Sequence, residues 1–138
     1  MQALRYRIDP LLQFHALCDV PKVLVYVDPV TDAEYVSLFA KELDGLAGVS
    51  RTEPGFVEIN ALGVTKGTAL MHLSDMLGLT REHTVAVGDS YLDIPMLEWA
   101  GEGIAVQNAV PAVLNCADRI IPSVWEDGVA CYIESLLT

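Results

Sequence analysis

The apolar positions of this chain switch repeatedly between a helical period and short β-branched runs, and that switching sets the expected elements. Between Gly67 and Leu79, Ala69, Leu70, Leu73, Met76 and Leu77 recur at helical spacing, and Gly78 supplies a stop. Val85-Ala86-Val87 is an apolar run that reads as part of a buried strand over 83–88. The pattern continues as helix 92–100, strand 103–106, helix 110–116, strand 119–122 and helix 127–137. Strands separated by single helices imply an α/β fold with a parallel sheet and helices on its faces. Upstream, Asp9-Pro10 opens a short helix running to about Cys18, followed by strand 22–27. Helix 32–43 comes next, with Tyr35, Val36, Leu38, Phe39 and Leu43 on its apolar side. Strands 49–52 and 55–60 flank Glu53-Pro54. Trp99, Trp125, Met71, Met76 and Met96 fall on apolar stripes or turns and are expected in the core. There is no internal repeat and no low-complexity tract.

The chemistry concentrates where the strand at 83–88 ends. Gly88-Asp89 follows the apolar run, and a second carboxylate, Asp93, lies four residues on. Open α/β sheets bind ligands at the carboxyl ends of their strands. Two carboxylates gathered there suit a hard cation such as Mg²⁺, which takes oxygen ligands. An Asp in this position also serves as a helix N-cap, and an acid in a first helical turn is favoured by the dipole. Lys66 opens the helix upstream, where a cation opposes the dipole and has no stabilising reason to sit. Ser90 and Asn108 have side chains that hydrogen-bond phosphate or a metal shell, and that serve equally as caps or turn residues.

Five pieces occur in one order and spacing from about Phe56 onward: G-V-T-K-G (63–67), V-G-D-S-Y-L-D-I-P-M-L (87–97), V-Q-N-A (106–109), Ala117-Asp118 and E-D-G-V-A (126–130). Together they resemble the C-terminal part of a haloacid dehalogenase superfamily hydrolase of the Cof-type sugar-phosphatase group. The resemblance implies a three-layer Rossmann-like parallel sheet over 64–138, the C-terminal part of the hydrolase core. It makes 1–63 the rear half of an α/β cap. It implies a Mg²⁺-dependent phosphatase acting on a small phosphorylated metabolite through a phosphoaspartyl intermediate. Asp89 then matches the acid that ligates Mg²⁺, and Asp93 the second acid, which ligates or orients a metal-bound water. Lys66 matches the lysine that clamps phosphate and pairs with the nucleophile, and Ser90 and Asn108 fall at phosphate-binding positions.

The resemblance also exposes two departures. The family's nucleophile lies in a D-x-D-G-(T/S) motif, and none occurs here. The nearest stretch ends at Asp28, followed by Pro29 with Val30 at the +2 position, and reads as a loop leading to a helix start with Thr31-x-x-Glu34. Leu92 stands where the family commonly has Asn, which thins the polar support of the site. The chain therefore looks like a family member missing its first half and is expected to be inactive alone. The strand at 84–87 is then expected to expose an open edge, favouring a homo-oligomer or a complementary N-terminal fragment as partner.

Composition narrows the classes further. The 138 residues carry a net charge of −11. A polyanionic surface argues against nucleic acid and anionic membranes, and leaves a phosphate site dependent on local cations. Mean hydropathy of +0.37 is high, yet no apolar run reaches the roughly 18 residues of a membrane-spanning helix. The N-terminus has no signal-peptide pattern. Cys18, Cys116 and Cys131 are unclustered, which argues against a disulfide or zinc framework and fits the cytoplasm. Cys116 and Cys131 read as small hydrophobes. His15, His72 and His83 have no partner at ligand spacing. A second reading is a non-catalytic remnant that binds a ligand or partner. A receiver-like or nucleotide-binding domain fits least, because neither G-x-G-x-x-G nor G-x-x-x-x-G-K-(S/T) is present.

Overall fold

The computed structural model describes residues 21–137, so the helix expected over 8–18 lies outside the described residues, with Cys18 and His15. Two three-stranded sheets organise these residues. The first comprises β1 (Lys22–Tyr26), β2 (Ala47–Glu53) and β3 (Phe56–Ala61), antiparallel in the order β1-β3-β2, with helix α1 (Asp32–Glu42) between β1 and β2 in sequence. Val57 on β3 is fully buried, and Val36, Phe39 and Leu43 of α1 are half-buried. Tyr35 and Leu38, expected on the same apolar side, stay exposed. The Thr31-x-x-Glu34 capping box does not form: the Thr31 side chain makes no cap hydrogen bond, and Asp28 Oδ1 instead accepts from the Val30 amide at 2.9 Å.

Asp32 holds this unit together. It is buried, and its Oδ2 accepts from the Gly55 amide at 2.9 Å and from Arg51 Nε at 2.8 Å. One carboxylate thus fastens the start of α1 to the β2–β3 hairpin. A buried charge survives only when paired and hydrogen-bonded.

The second sheet contains β4 (Val85–Gly88), β5 (Glu102–Val106) and β6 (Arg119–Ile121), parallel in the order β4-β5-β6. Helices α2 (Lys66–Leu77), α3 (Ile94–Trp99), α4 (Pro111–Cys116) and α5 (Gly128–Leu136) alternate with these strands. β5 is central, and Gly103 to Val106 are all buried, as a strand covered on both faces requires. The core gathers around it from Ala86, Leu97, Ile104, Val113, Ile121 and Tyr132. The elements expected from residue 22 onward are all present among the described residues. The strand expected from 83 starts at Val85 after a 3₁₀ turn at Arg81–His83, and the helix expected from 92 begins as a 3₁₀ turn at Tyr91–Asp93.

Several expected core residues lie elsewhere. Met76 is 83% exposed and Trp125 is 86% exposed, while Met71, Met96 and Trp99 are half-buried. Leu73 and Leu77 of α2 are exposed, whereas Gly67 and Ser74 are buried. Small residues are buried on α2 because α3 approaches closely: a Cβ on Gly67 would meet the Pro95 carbonyl oxygen at 2.4 Å. Cys116 is half-buried but Cys131 is exposed. Among the described residues β4 pairs only with β5, so its other edge carries no strand. No helix among the described residues is long and apolar enough to cross a membrane.

Candidate functional site

The site is built where β4 ends. Gly88 is obligatory there by close approach, since a Cβ on it would lie 2.5 Å from Asp93 Cβ and 2.9 Å from its Cγ. That absence of a side chain lets the chain turn back so that Asp93 sits under its own loop, only 2% exposed. Asp93 Oδ2 accepts from the Asp89 amide at 3.0 Å, the Ser90 amide at 3.0 Å and the Ser90 hydroxyl at 3.1 Å. Its Oδ1 accepts from the Lys66 ammonium, which forms an ion pair with it. Burial is the largest single influence on this carboxyl and pushes its pKa up. The Lys66 hydrogen bond, the Asp89 and Ser90 amides and the Lys66 charge together outweigh it, lowering the pKa from 3.8 to about 2. Asp93 is therefore an anion at neutral pH, held by three donors and a cation.

Lys66 reaches this carboxylate from the first turn of α2. Thr65 caps that helix reciprocally: Thr65 Oγ1 accepts from the Thr68 amide at 3.1 Å, and the Thr65 amide donates to Thr68 Oγ1 at 2.9 Å. The cap and the α2–α3 contact at Gly67 aim Lys66 along the loop after β4. Its side chain remains 54% exposed, so the ammonium is anchored on one side and open on the other. That geometry presents a fixed positive charge to an anion.

The open side of Lys66 faces a cleft of about 640 Å³. One wall comes from α2 and the loop after β4, with Val64, Thr65, Tyr91, Leu92 and Pro95. The opposite wall is the antiparallel sheet, with Lys22, Gly48, Val49, Ser50, Glu58 and Asn60. Leu92, at the position where Asn was expected, is half-buried and forms part of the apolar wall.

The other candidate residues have separate positions. Asp89 is exposed, and its carboxylate makes no hydrogen bond or ion pair with the described residues, so it can receive a cation. Its carbonyl accepts from the Val110 amide at 2.9 Å, which joins the loop after β4 to the loop after β5. Asn108 lies on that second loop, where its Oδ1 accepts from the Val124 amide at 2.9 Å and braces the segment leading to α5. Ser90 gives its hydroxyl to Asp93. For Mg²⁺ the donor set fits in part. Asp89 supplies one uncommitted carboxylate, and both oxygens of Asp93 are already engaged. Among the described residues no group of three or more His, Cys, Asp or Glu is gathered for a metal. A cation held here would rest on Asp89 and water, since Mg²⁺ usually retains several waters.

Sequence reasoning passed over the sheet wall of the cleft. Its one local signal was polar spacing on β3, where Glu58 and Asn60 share a face at i and i+2. That this face looks across at Lys66 required the tertiary structure.

The haloacid dehalogenase-like hydrolase family matches residues 9–133. The 5-amino-6-(5-phospho-D-ribitylamino)uracil phosphatase YcsE of Bacillus subtilis is 42% identical over 90 residues, 65% of this chain and 34% of that protein. A phosphoglycolate phosphatase of Methanopyrus kandleri is 34% identical over 121 residues, 84% of this chain and 50% of that protein. A crystal structure of a haloacid dehalogenase-like hydrolase from Bacteroides thetaiotaomicron superposes with a TM-score of 0.81 at 36% identity, over 97% of this chain and 50% of that one. The chain spans half or less of the length of these relatives. With the parallel sheet, the Gly-Asp loop and the lysine of α2 all in place, the chain belongs to the haloacid dehalogenase-like hydrolase family.

Proposed function

We propose that this chain forms the phosphate- and Mg²⁺-binding half of a phosphatase for a small phosphorylated metabolite, with residues 64–138 as core and 1–63 as cap segment. The observation that carries this reading is the Lys66 ammonium, anchored on buried Asp93 and lining the cleft, with exposed Asp89 at the start of the loop that Asp93 fixes. Lys66 binds and orients the phosphate group. Asp93 anchors Lys66 and fixes the loop that carries Asp89. Asp89 holds Mg²⁺, which when bound offsets charge on the phosphate oxygens. Relatives of this family named as phosphatases support the class of reaction. The nucleophilic Asp of the resembled motif is not in this sequence, so hydrolysis needs a carboxylate from outside these residues.

Titration with inorganic phosphate, followed by ³¹P NMR with and without Mg²⁺, tests the binding half. Phosphate should bind weakly and more tightly with Mg²⁺, Lys66→Ala should abolish binding, and Asp89→Ala should remove the Mg²⁺ enhancement. Phosphate affinity untouched by Lys66→Ala refutes the assignment. p-Nitrophenyl phosphate with Mg²⁺ should show no turnover by the chain alone. Turnover lost in Asp28→Asn would make Asp28 the nucleophile instead.

A further inference from the structure

We infer that Asn108 acts as a positioning residue, orienting Asp89 through Val110, and not as a phosphate ligand; this rests on the Mg²⁺ reading of Asp89. Parallel strands end on one side of their sheet, so the loops leaving β4, β5 and β6 are neighbours. Asp89 is exposed, yet its backbone is held at both ends. Its amide donates to Asp93 Oδ2 at 3.0 Å, and its carbonyl accepts from the Val110 amide at 2.9 Å. The first bond is anchored on the ion pair of Lys66 with Asp93. The second depends on where residues 107–110 are held.

That loop is a tight turn supported from the side away from Asp89. The Ala109 amide closes it by donating to the Val106 carbonyl at 2.9 Å, with Ala109 itself buried. At its root the backbone joins it to β6, the Gln107 amide donating to the Ile121 carbonyl at 2.9 Å. Further out the tie is Asn108, whose Oδ1 accepts from the Val124 amide at 2.9 Å. A backbone N–H needs an acceptor, so this contact commits the side-chain oxygen and turns Nδ2, the group that would donate to phosphate, away from it. The support is itself stiff. Glu126 Oε2 accepts from the Ser123 hydroxyl at 2.8 Å, and the Gly128 amide donates to the Ser123 carbonyl at 3.1 Å. A Cβ on Gly128 would collide with the Pro122 carbonyl oxygen, so residues 122–128 have little room to shift. Asn108 and Val124 are both exposed, so water replaces their bond when it is lost. The loss then costs position and little stability. A continuous run of contacts thus leads from residues 123–128 through Asn108 and Val110 to the Asp89 carbonyl, and it aims the carboxylate beside that carbonyl.

Amide hydrogen exchange read by NMR, together with the inorganic phosphate titration with and without Mg²⁺, tests this in Asn108→Ala and Asn108→Asp. The aspartate keeps an oxygen to accept from Val124 and removes the N–H donors that a phosphate would need. Asn108→Ala should speed exchange at both Val124 and Val110 by about three- to tenfold, the range that one lost hydrogen bond supports. It should reduce the Mg²⁺ enhancement of phosphate binding and leave phosphate affinity without Mg²⁺ unchanged. Asn108→Asp should restore the protection of both amides and the Mg²⁺ enhancement. Faster exchange at Val124 alone, or a Mg²⁺ enhancement unchanged in Asn108→Ala, overturns the inference and leaves the phosphate reading of Lys66 intact. Phosphate affinity without Mg²⁺ that falls in both variants also overturns it, since the Asn108 N–H groups would then be binding phosphate. If wild type shows no Mg²⁺ enhancement, the reading of Asp89 falls and this inference falls with it.

Discussion

Gly88→Ala isolates the contact on which the site depends. The added Cβ would lie 2.5 Å from Asp93 Cβ and 2.9 Å from Cγ, against an ordinary contact of roughly 3.4–4 Å, so Asp93 must move by about 1 Å. That shift removes its carboxylate from the Asp89 and Ser90 amides and from Lys66. Lys66 is half-exposed and recovers hydration, so the larger cost falls on the two amides. A buried donor left unpaired costs about 1–3 kcal/mol, which puts the substitution at about 3–5 kcal/mol after partial relaxation. This is a large share of the about 5–15 kcal/mol that holds a domain together. Urea unfolding followed by circular dichroism measures it. The decisive version is a double-mutant cycle with Asp93→Gly, which removes the atoms that clash. Gly88→Ala should cost about 2 kcal/mol less in that background. Additive costs, within about 0.5 kcal/mol, would show that Gly88 is required for some reason other than Asp93.

Three further outcomes are expected. The Asp93 pKa is lowered on folding, so its contribution is present above about pH 4 and lost as pH falls toward about 2; from 3.8 to about 2 this amounts to about 2 kcal/mol. Asp93→Asn should flatten that part of the acid-unfolding curve, and an unchanged acid limb would contradict the depressed pKa. Asp127 adopts a left-handed backbone at φ 53°, so Asp127→Gly should raise stability by about 0.5–1 kcal/mol in thermal unfolding, and a loss would mean its side chain has a structural partner. The edge of β4 that carries no strand among the described residues, with the exposed Leu73, Met76 and Leu77 of α2, should make the chain self-associate or capture a complementary N-terminal fragment in sedimentation runs, and a monodisperse 15.0 kDa species would count against it.

Local periodicity was sufficient to locate the elements from Lys66 to Leu136. Helical and strand spacing are properties of neighbouring residues, and turn residues such as Gly78 and Pro111 punctuate them where the chain must change direction. The Gly-Asp loop was legible for the same reason, since a strand ending in Gly-Asp advertises its own position at a sheet's carboxyl end. Periodicity names the apolar face of a helix but not what covers it. Leu73 and Met76 share the expected stripe on α2, yet Gly67 and Ser74 are the residues buried there, and at Gly67 the approach of α3 leaves no room for a Cβ. Long-range pairing was equally silent in the sequence. Asp93 meets Lys66 from 27 residues away, and Asp32 meets Gly55 from 23, through contacts that exist only after the elements pack. The cleft itself belongs wholly to tertiary structure. Only the antiparallel order β1-β3-β2 brings Lys22 against Glu58, and only the placement of that sheet across from α2 makes residues of both units the walls of one cleft.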